Sequence, residues 1–369
     1  MKTIRIMIKP ASSLCNMRCK YCFYADVAAM RTVPSFGVMT EGTADAILAR
    51  LGQELTAGDT LAVTFQGGEP LLAGLSFFQS FTKKASALSG VRITYALQTN
   101  GTMLDEEWCA FLKEHGFLVG LSLDLLQKAH DATRTDAAGK GTYRRVCDSM
   151  RLLKKHGVDF NVLCTLTGEV ARHPGQVWRS LVELDVTYVQ FTPCLGELEG
   201  SPSPYTLTPE RFASFYKQLF ALWYADFKAG RKRSVKLFDD VVNQLILGIP
   251  TGCGMDGKCR PQLVVEADGT AYPCDFYCLD EYRLGNAADT PVSELLSSPG
   301  VKAFLSRPRT RPAACANCPY TRFCGGNCPR MEREITVPSH STYCGYRDFL
   351  DTCGTALASL AEEIKRVKR

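Results

Sequence analysis

Cys15-Asn16-Met17-Arg18-Cys19-Lys20-Tyr21-Cys22 follows closely on the apolar run Ile4-Arg5-Ile6-Met7-Ile8, and the reading of this stretch decides the fold. An apolar run of strand length that ends in a loop of reactive side chains is how an α/β unit begins. In such folds functional residues collect at the C-terminal ends of parallel strands. The same pattern recurs outward from here. Strand-length runs at 4–8, 61–65, 93–98, 118–123, 160–165 and 188–191 alternate with amphipathic helical stretches at 43–55, 75–88, 106–114, 143–155 and 175–184. Six strands separated by helices predict a parallel sheet, either a partial barrel or an open, doubly wound one. The polar motifs fall where such a fold would use them. Gln66-Gly67-Gly68-Glu69-Pro70 follows the second strand, Gln98-Thr99-Asn100-Gly101 follows the third, and Ser122 and Asp124 close the fourth.

A chain of 369 residues with 46% hydrophobic and 22% charged residues is a folded protein, not a disordered one. The net charge of +5 is mild, and part of it sits in Lys365-Arg366-Val367-Lys368-Arg369, which reads as a solvated helix end rather than a nucleic-acid patch. No run approaches the roughly 18 apolar residues of a membrane helix. Arg5 and Lys9 interrupt the N-terminal run, so it lacks the apolar core of a signal peptide, and a cytoplasmic protein without membrane or nucleic-acid partners is expected. Seventeen cysteines are an odd number. In a reducing compartment clustered cysteines point to metal more than to disulfides.

Downstream, Thr208-Pro209-Glu210 opens a helix through about Phe227, with Thr208 as N-cap and Pro209 at the first helical position. The glycine-rich 248–257 stretch marks a boundary. Leu263 to Tyr272 reads as a hairpin turning at Asp268-Gly269. Residues 291–305 and 349–367 read as helical, with the irregular cysteine-rich 315–328 segment between them.

Cys15, Cys19 and Cys22 supply three thiolates, one fewer than a closed tetrahedral zinc site or a fully ligated four-iron cube requires. A zinc knuckle is the alternative reading. The spacing, its place after the first strand and Tyr21 before the last cysteine resemble the signature of the radical SAM superfamily. That resemblance implies a 4Fe-4S cluster with one open iron that binds S-adenosyl-L-methionine and yields a 5′-deoxyadenosyl radical. It further implies SAM contacts at Tyr21, Gly68, Ser122, Arg134 and Leu195. Arg134 suits the carboxylate of SAM by bidentate pairing, although an isolated arginine is more often a surface ion-pair partner.

A second cysteine system comprises Cys259, Cys274, Cys315, Cys318, Cys324, Cys328 and Cys344, preceded by Cys253. It resembles the SPASM domain, whose full form holds two auxiliary 4Fe-4S clusters. The resemblance implies Cys253, Cys259, Cys274 and Cys328 on the inner cluster and Cys315, Cys318, Cys324 and Cys344 on the outer one. Two four-thiolate zinc sites are the alternative. Cys109, Cys147, Cys164, Cys194, Cys278 and Cys353 are left over and read as small apolar fillers, with some caution over Cys278 because it lies four residues after Cys274.

Ile8 to Ser13, Cys22-Phe23-Tyr24, Phe65 to Pro70, Leu97 to Gly101, Phe117 to Ser122, Leu222-Trp223-Tyr224 and Val264 to Tyr277 resemble the anaerobic sulfatase-maturating enzymes over essentially the whole chain. The fold implied is α/β: a partial (β/α)6 TIM-like barrel at 1–235, a C-terminal cysteine-rich SPASM domain at 236–345 and a closing helix at 346–369. The activity implied is oxidation of a cysteine or serine side chain in a sulfatase polypeptide, within a Cys/Ser-x-Pro-x-Arg type motif, to Cα-formylglycine. The electron would return through the auxiliary clusters, with a ferredoxin or flavodoxin type reductant, in a monomer. Asp275 matches the proposed catalytic base; its other reading is a carboxylate satisfied by nearby backbone amides. The neighbouring alternative is another SPASM peptide maturase acting on a ribosomal peptide. One departure stands out: Ser122-Leu123-Asp124 continues with Leu125-Leu126 where the family usually has Gly-Pro, which puts substrate fit in question.

Overall fold

The computed structural model describes residues 1–200, 202–309, 311–336 and 342–367. Its strands are β1 (Thr3–Ile8), β2 (Thr60–Phe65), β3 (Arg92–Thr99), β4 (Leu118–Ser122), β5 (Phe160–Leu166), β6 (Tyr188–Pro193), β7 (Ser234–Val235), β8 (Leu263–Val265), β9 (Thr270–Tyr272) and β10 (Gly285–Asn286). The chain divides into two compact units. The first comprises Met1–Ser122, Asp131–Phe160 and Pro261–Arg307; the second comprises Leu123–His130, Asn161–Arg260 and Pro308–Arg369.

In the first unit, β1 to β4 are parallel neighbours, and β8 adds in parallel to the free side of β1. The registers align Ile8 with both Phe65 and Val265, and Phe65 with Leu97. The loops leaving β1, β2, β3 and β8 therefore emerge side by side. β8 and β9 form the hairpin expected at Asp268-Gly269, and β10 pairs antiparallel with β9. Gly269 takes φ +88°, a left-handed conformation that glycine adopts without a Cβ penalty. The helices cover the sheet with faces spaced as their sequences require; Tyr143–Lys155, for example, buries Val146, Cys147, Met150 and Leu153. Phe65, Phe78, Phe81, Trp108 and Phe117 form the aromatic core beneath it.

In the second unit, β5, β6 and β7 are parallel. Helix Pro209–Lys228 starts as the sequence predicts, with Thr208 accepting a hydrogen bond from the Arg211 N–H and Pro209 in the first turn. It packs with Lys236–Leu247 and the closing helix Gly345–Val367 around Tyr216, Phe238 and Phe349.

The expected six strands and five helices are all present within a few residues, and helices Glu106–Glu114 and Tyr143–Lys155 match their predicted limits. The 291–305 stretch divides into Val292–Leu295 and Pro299–Leu305, because Pro299 starts a helix more readily than it continues one. Helices Phe23–Ala29 and Lys236–Leu247 were not anticipated. Of the basic C-terminal run, Lys368 and Arg369 lie outside the described residues.

Candidate active site

The loop carrying Cys15, Cys19 and Cys22 is pinned on two sides within the first unit. The stretch around Arg134 runs along it: Arg18 N–H donates to the Thr135 carbonyl at 2.7 Å and Lys20 N–H to the Thr133 carbonyl at 2.9 Å. This brings the Arg134 guanidinium to the Tyr21 hydroxyl, 3.3 Å away, so two of the five expected SAM contacts meet. On the other side lies the Gly67-Gly68-Glu69 turn. Gly68 N–H donates to the Ser12 carbonyl and Glu69 N–H to the Leu14 carbonyl, each at 2.8 Å. A Cβ on Gly68 would stand 2.0 Å from the Leu14 carbonyl oxygen. The structure thus gives Gly68 a packing reason: its backbone underlies the peptide leading into Cys15.

Glu69 is fully buried and bonded within the protein through both carboxylate oxygens. Its carboxylate accepts from Leu71 N–H at 3.1 Å, Thr99 Oγ1 at 2.7 Å and Asn100 N–H at 2.8 Å, binding the end of β2 to the end of β3. Burial raises its pKa and these donors oppose the rise. Asn100 then donates through Nδ2 to Asn16 Oδ1 at 2.8 Å, and Asn16 donates to Thr102 Oγ1 at 2.9 Å. The motif after β3 therefore orients the residue next to Cys15. Its polarity at a strand end was legible; its partners were not.

Ser122 ends β4, half-buried. Leu195 is buried in the second unit, just beyond β6. Leu125, the departure from the family pattern, is also buried in the second unit. Beside it, Asp124 Oδ1 accepts from the Thr165 N–H at 2.9 Å, and Asp124 N–H donates to His130 Nδ1 at 3.2 Å.

Asp275 begins a short helical turn after Cys274. Two side chains hold its carboxylate. Lys9, with a side chain 0% exposed, places Nζ 2.6 Å from Oδ1, and Gln66 Nε2 donates to Oδ2 at 2.6 Å. The Lys9 approach is an ion pair off the angles of a hydrogen bond. Burial alone would lower the Lys9 pKa, yet Asp275 and the other acidic groups around it hold it well above the usual lysine value. Lys9 also stands 3.4 Å from the centre of the Tyr24 ring. The Tyr24 hydroxyl donates to Glu266, which also accepts from Arg31 at 2.8 Å and from Ser12 Oγ at 2.8 Å. Gln66 lay in a motif read as part of the site, but its bond to Asp275 was not foreseen, and Lys9, Tyr24, Arg31 and Glu266 were given no role of their own. The available signal was charge at or just beyond the ends of apolar strands, at Lys9 and Glu266.

The thiols suit iron–sulfur ligation. Burial pushes Cys15 up to about 11, with Cys19 and Cys22 adding to the rise, so the three sulfurs share one neighbourhood. Cys315, Cys318, Cys324 and Cys344 line one cavity in the second unit, where burial takes Cys324 to about 11. Such thiols bind only by losing their protons, which a metal site enforces. In the same unit Cys253, Cys259 and Cys328 act on one another, and burial raises Cys253 and Cys328. Cys274 belongs to the first unit, at the end of β9. Among the described residues no three His, Cys, Asp or Glu side chains close on one point. The six leftover cysteines are all buried, and Cys278 donates to the Cys274 and Asp275 carbonyls at 3.5 and 3.6 Å.

Known proteins share this architecture. The profile of the Radical SAM superfamily matches residues 10–177, and that of the SPASM iron-sulfur cluster-binding domain matches residues 257–319. The cysteine-type anaerobic sulfatase-maturating enzyme of Clostridium perfringens (strain 13 / Type A) is 38% identical over 99% of this chain and 100% of its own length. The serine-type enzyme of Bacteroides thetaiotaomicron is 30% identical over 91% of this chain and 85% of its own. The solved structure of native anSMEcpe with bound AdoMet and Cp18Cys peptide superposes with a TM-score of 0.89 at 36% identity, covering 98% of this chain and 99% of that one. Streptococcus suis SuiB bound to its precursor peptide SuiA, at 15% identity and a TM-score of 0.62 over 93% of this chain and 75% of that one, shares the fold alone. The α/β fold of the radical SAM type with a SPASM segment is therefore the fold of this chain, which belongs to the anaerobic sulfatase-maturating enzymes.

Proposed function

We propose that this chain oxidises a cysteine or serine side chain in a sulfatase polypeptide to Cα-formylglycine, with Asp275 as the base. The carrying observation is the Asp275 carboxylate, held by Lys9 on one oxygen and Gln66 on the other, next to Cys274. When bound, S-adenosyl-L-methionine and the three 4Fe-4S clusters supply removal of a hydrogen atom from the substrate Cβ and of one electron. Cys15, Cys19 and Cys22 would hold the cluster that activates SAM. Cys253, Cys259, Cys274 and Cys328 would hold one auxiliary cluster, and Cys315, Cys318, Cys324 and Cys344 the other. Tyr21, Gly68, Ser122, Arg134 and Leu195 would contact SAM, Arg134 through its carboxylate.

Each Asp275 oxygen has more than one acceptor direction and spends one on its protein partner, which leaves room for the substrate proton. The proton of the thiol or hydroxyl passes to Asp275 as the carbon–heteroatom double bond forms. Hydrolysis then replaces sulfur by oxygen when the substrate is cysteine. The finer partners belong to the same proposal: a Cys/Ser-x-Pro-x-Arg type motif, a ferredoxin or flavodoxin type reductant, a monomer, a cytoplasmic site of action, and domains at 1–235, 236–345 and 346–369. Among the described residues no helix is long and apolar enough to cross a membrane.

The test is anaerobic incubation with SAM, a reductant and a Cys-x-Pro-x-Arg peptide, read by mass spectrometry. The expected product has lost two hydrogens and exchanged sulfur for oxygen. Asp275→Asn is expected to cleave SAM while peptide oxidation falls roughly 10²- to 10⁴-fold, the usual contribution of a general base. An unchanged product yield removes Asp275 from this role.

A further inference from the structure

Asn100, the residue after β3, carries an amide whose orientation its surroundings fix. It is buried within the first unit, and its backbone N–H donates to the Glu69 carboxylate at 2.8 Å. Its Oδ1 accepts twice from Thr102, from the N–H at 2.9 Å and from the hydroxyl at 2.7 Å. A flipped amide would set its own N–H groups against the Thr102 N–H, so the oxygen end is settled. Nδ2 therefore faces the other way, with two hydrogens to place. One goes to Asn16 Oδ1 at 2.8 Å, and Nδ2 also lies 3.9 Å from Cys15 Sγ, within reach of a bond to sulfur. Asn16 is held in the matching sense, because its Nδ2 donates to Thr102 Oγ1 at 2.9 Å. The same sulfur accepts the Met17 N–H at 3.4 Å.

A thiolate bound to iron carries part of the negative charge of its cluster, and an N–H aimed at it is a charge-assisted donor. Reduction brings in one electron from the reductant and neither makes nor breaks a bond to Cys15. The added charge is shared by the sulfurs, so a donor on one of them favours the reduced form; hydrogen bonds to sulfur are one of the controls of cluster potential. We propose that the Asn100 amide acts in this way on the cluster held by Cys15, Cys19 and Cys22, making it easier to reduce. The proposal rests on the cluster assignment given above. Glu69 and Thr102 hold the donor in place beforehand, so it need not reorganise when the electron arrives.

The experiment is an anaerobic potentiometric titration of the holoenzyme, read by electron paramagnetic resonance. The signal followed is the one that changes when SAM is added, which separates this cluster from the auxiliary pair. Asn100→Ala removes the donor, and Asn100→Asp replaces it with a carboxylate that can still accept from Thr102. At a fixed potential the reduced-to-oxidised ratio is expected to fall roughly three- to tenfold in Asn100→Ala, tenfold being about 59 mV for one electron. Asn100→Asp is expected to fall further, because it adds a negative charge. Asn16→Ala loosens the same loop but leaves the donor on Cys15, and it is expected to keep the parent midpoint. An unchanged midpoint in both Asn100 variants overturns the proposal. So does an Asn16→Ala shift as large as that of Asn100→Ala, because the order of the loop would then set the potential. Loss of about four irons from both Asn100 variants overturns it as well, making Asn100 a support for cluster assembly. A parent enzyme with no SAM-responsive signal removes the cluster assignment itself, whereas a normal parent with unmoved variants removes this proposal alone.

Discussion

Lys9 is the residue on which the polar heart of the first unit turns. It is a lysine with no exposed surface, held between the Asp275 carboxylate and the Tyr24 ring. Removing one partner of a buried ion pair leaves the other charge uncompensated, so Lys9→Met is expected to cost roughly 3–5 kcal/mol in urea unfolding. The sign of its pH dependence follows from its raised pKa. A cation whose folded pKa lies above its unfolded value contributes fully below the unfolded value, about 10.4, and loses that contribution only as pH rises through the folded one. The stability deficit of Lys9→Met is therefore expected to be the same at about pH 7 as at about pH 9. A deficit that shrank over this range would show Lys9 already losing its proton there. The sequence displayed Lys9 only as a charge at the end of an apolar run. The hairpin that follows Pro261 in the chain makes it a buried partner, because β8 pairs with β1 and delivers Glu266 and Asp275 to its side.

Among the elements, the turn after β2 matters most to the cysteine loop. Glycine at 68 was legible as a turn residue in a family motif, and the reading assigned its openness to a ligand. The structure assigns much of it to the Leu14 carbonyl beneath. Gly68→Ala must push the Cys15 loop away, since an added Cβ would stand 2.0 Å from backbone oxygen that cannot rotate aside. The expected result, with three four-iron clusters bound in the parent, is a fall from about twelve to about eight irons per chain. Folding of both units should survive. Full iron content in the alanine variant would show that the loop tolerates the shift. Glu69 binds the same turn to β3, which is why the motifs after β2 and β3 act as one support.

On the scale of the whole molecule, the two hydrophobic cores are built without the cluster thiols. Phe65, Phe78 and Trp108 fill the first, and Tyr216, Phe238 and Phe349 fill the second. Stripping iron with a chelator under reducing conditions is therefore expected to leave most of the far-ultraviolet circular dichroism in place. The melting midpoint should fall by roughly 2–4 °C for each kcal/mol of ligation lost. Collapse to a coil spectrum would show instead that the clusters hold the fold.

Periodicity and punctuation made the parallel strands, their helices, the Thr208–Pro209 start and the Asp268-Gly269 turn readable, because these depend on neighbours a few residues apart. Thiol spacing made the reactive segments readable in the same way. Tertiary structure alone decided which side chains meet. Asp275 finds Lys9 and Gln66, Asn100 finds Asn16, and Glu69 finds Thr99 and the Asn100 N–H. Strand register and loop packing set those distances across 30 to more than 260 positions of chain, a separation at which no local pattern carries information.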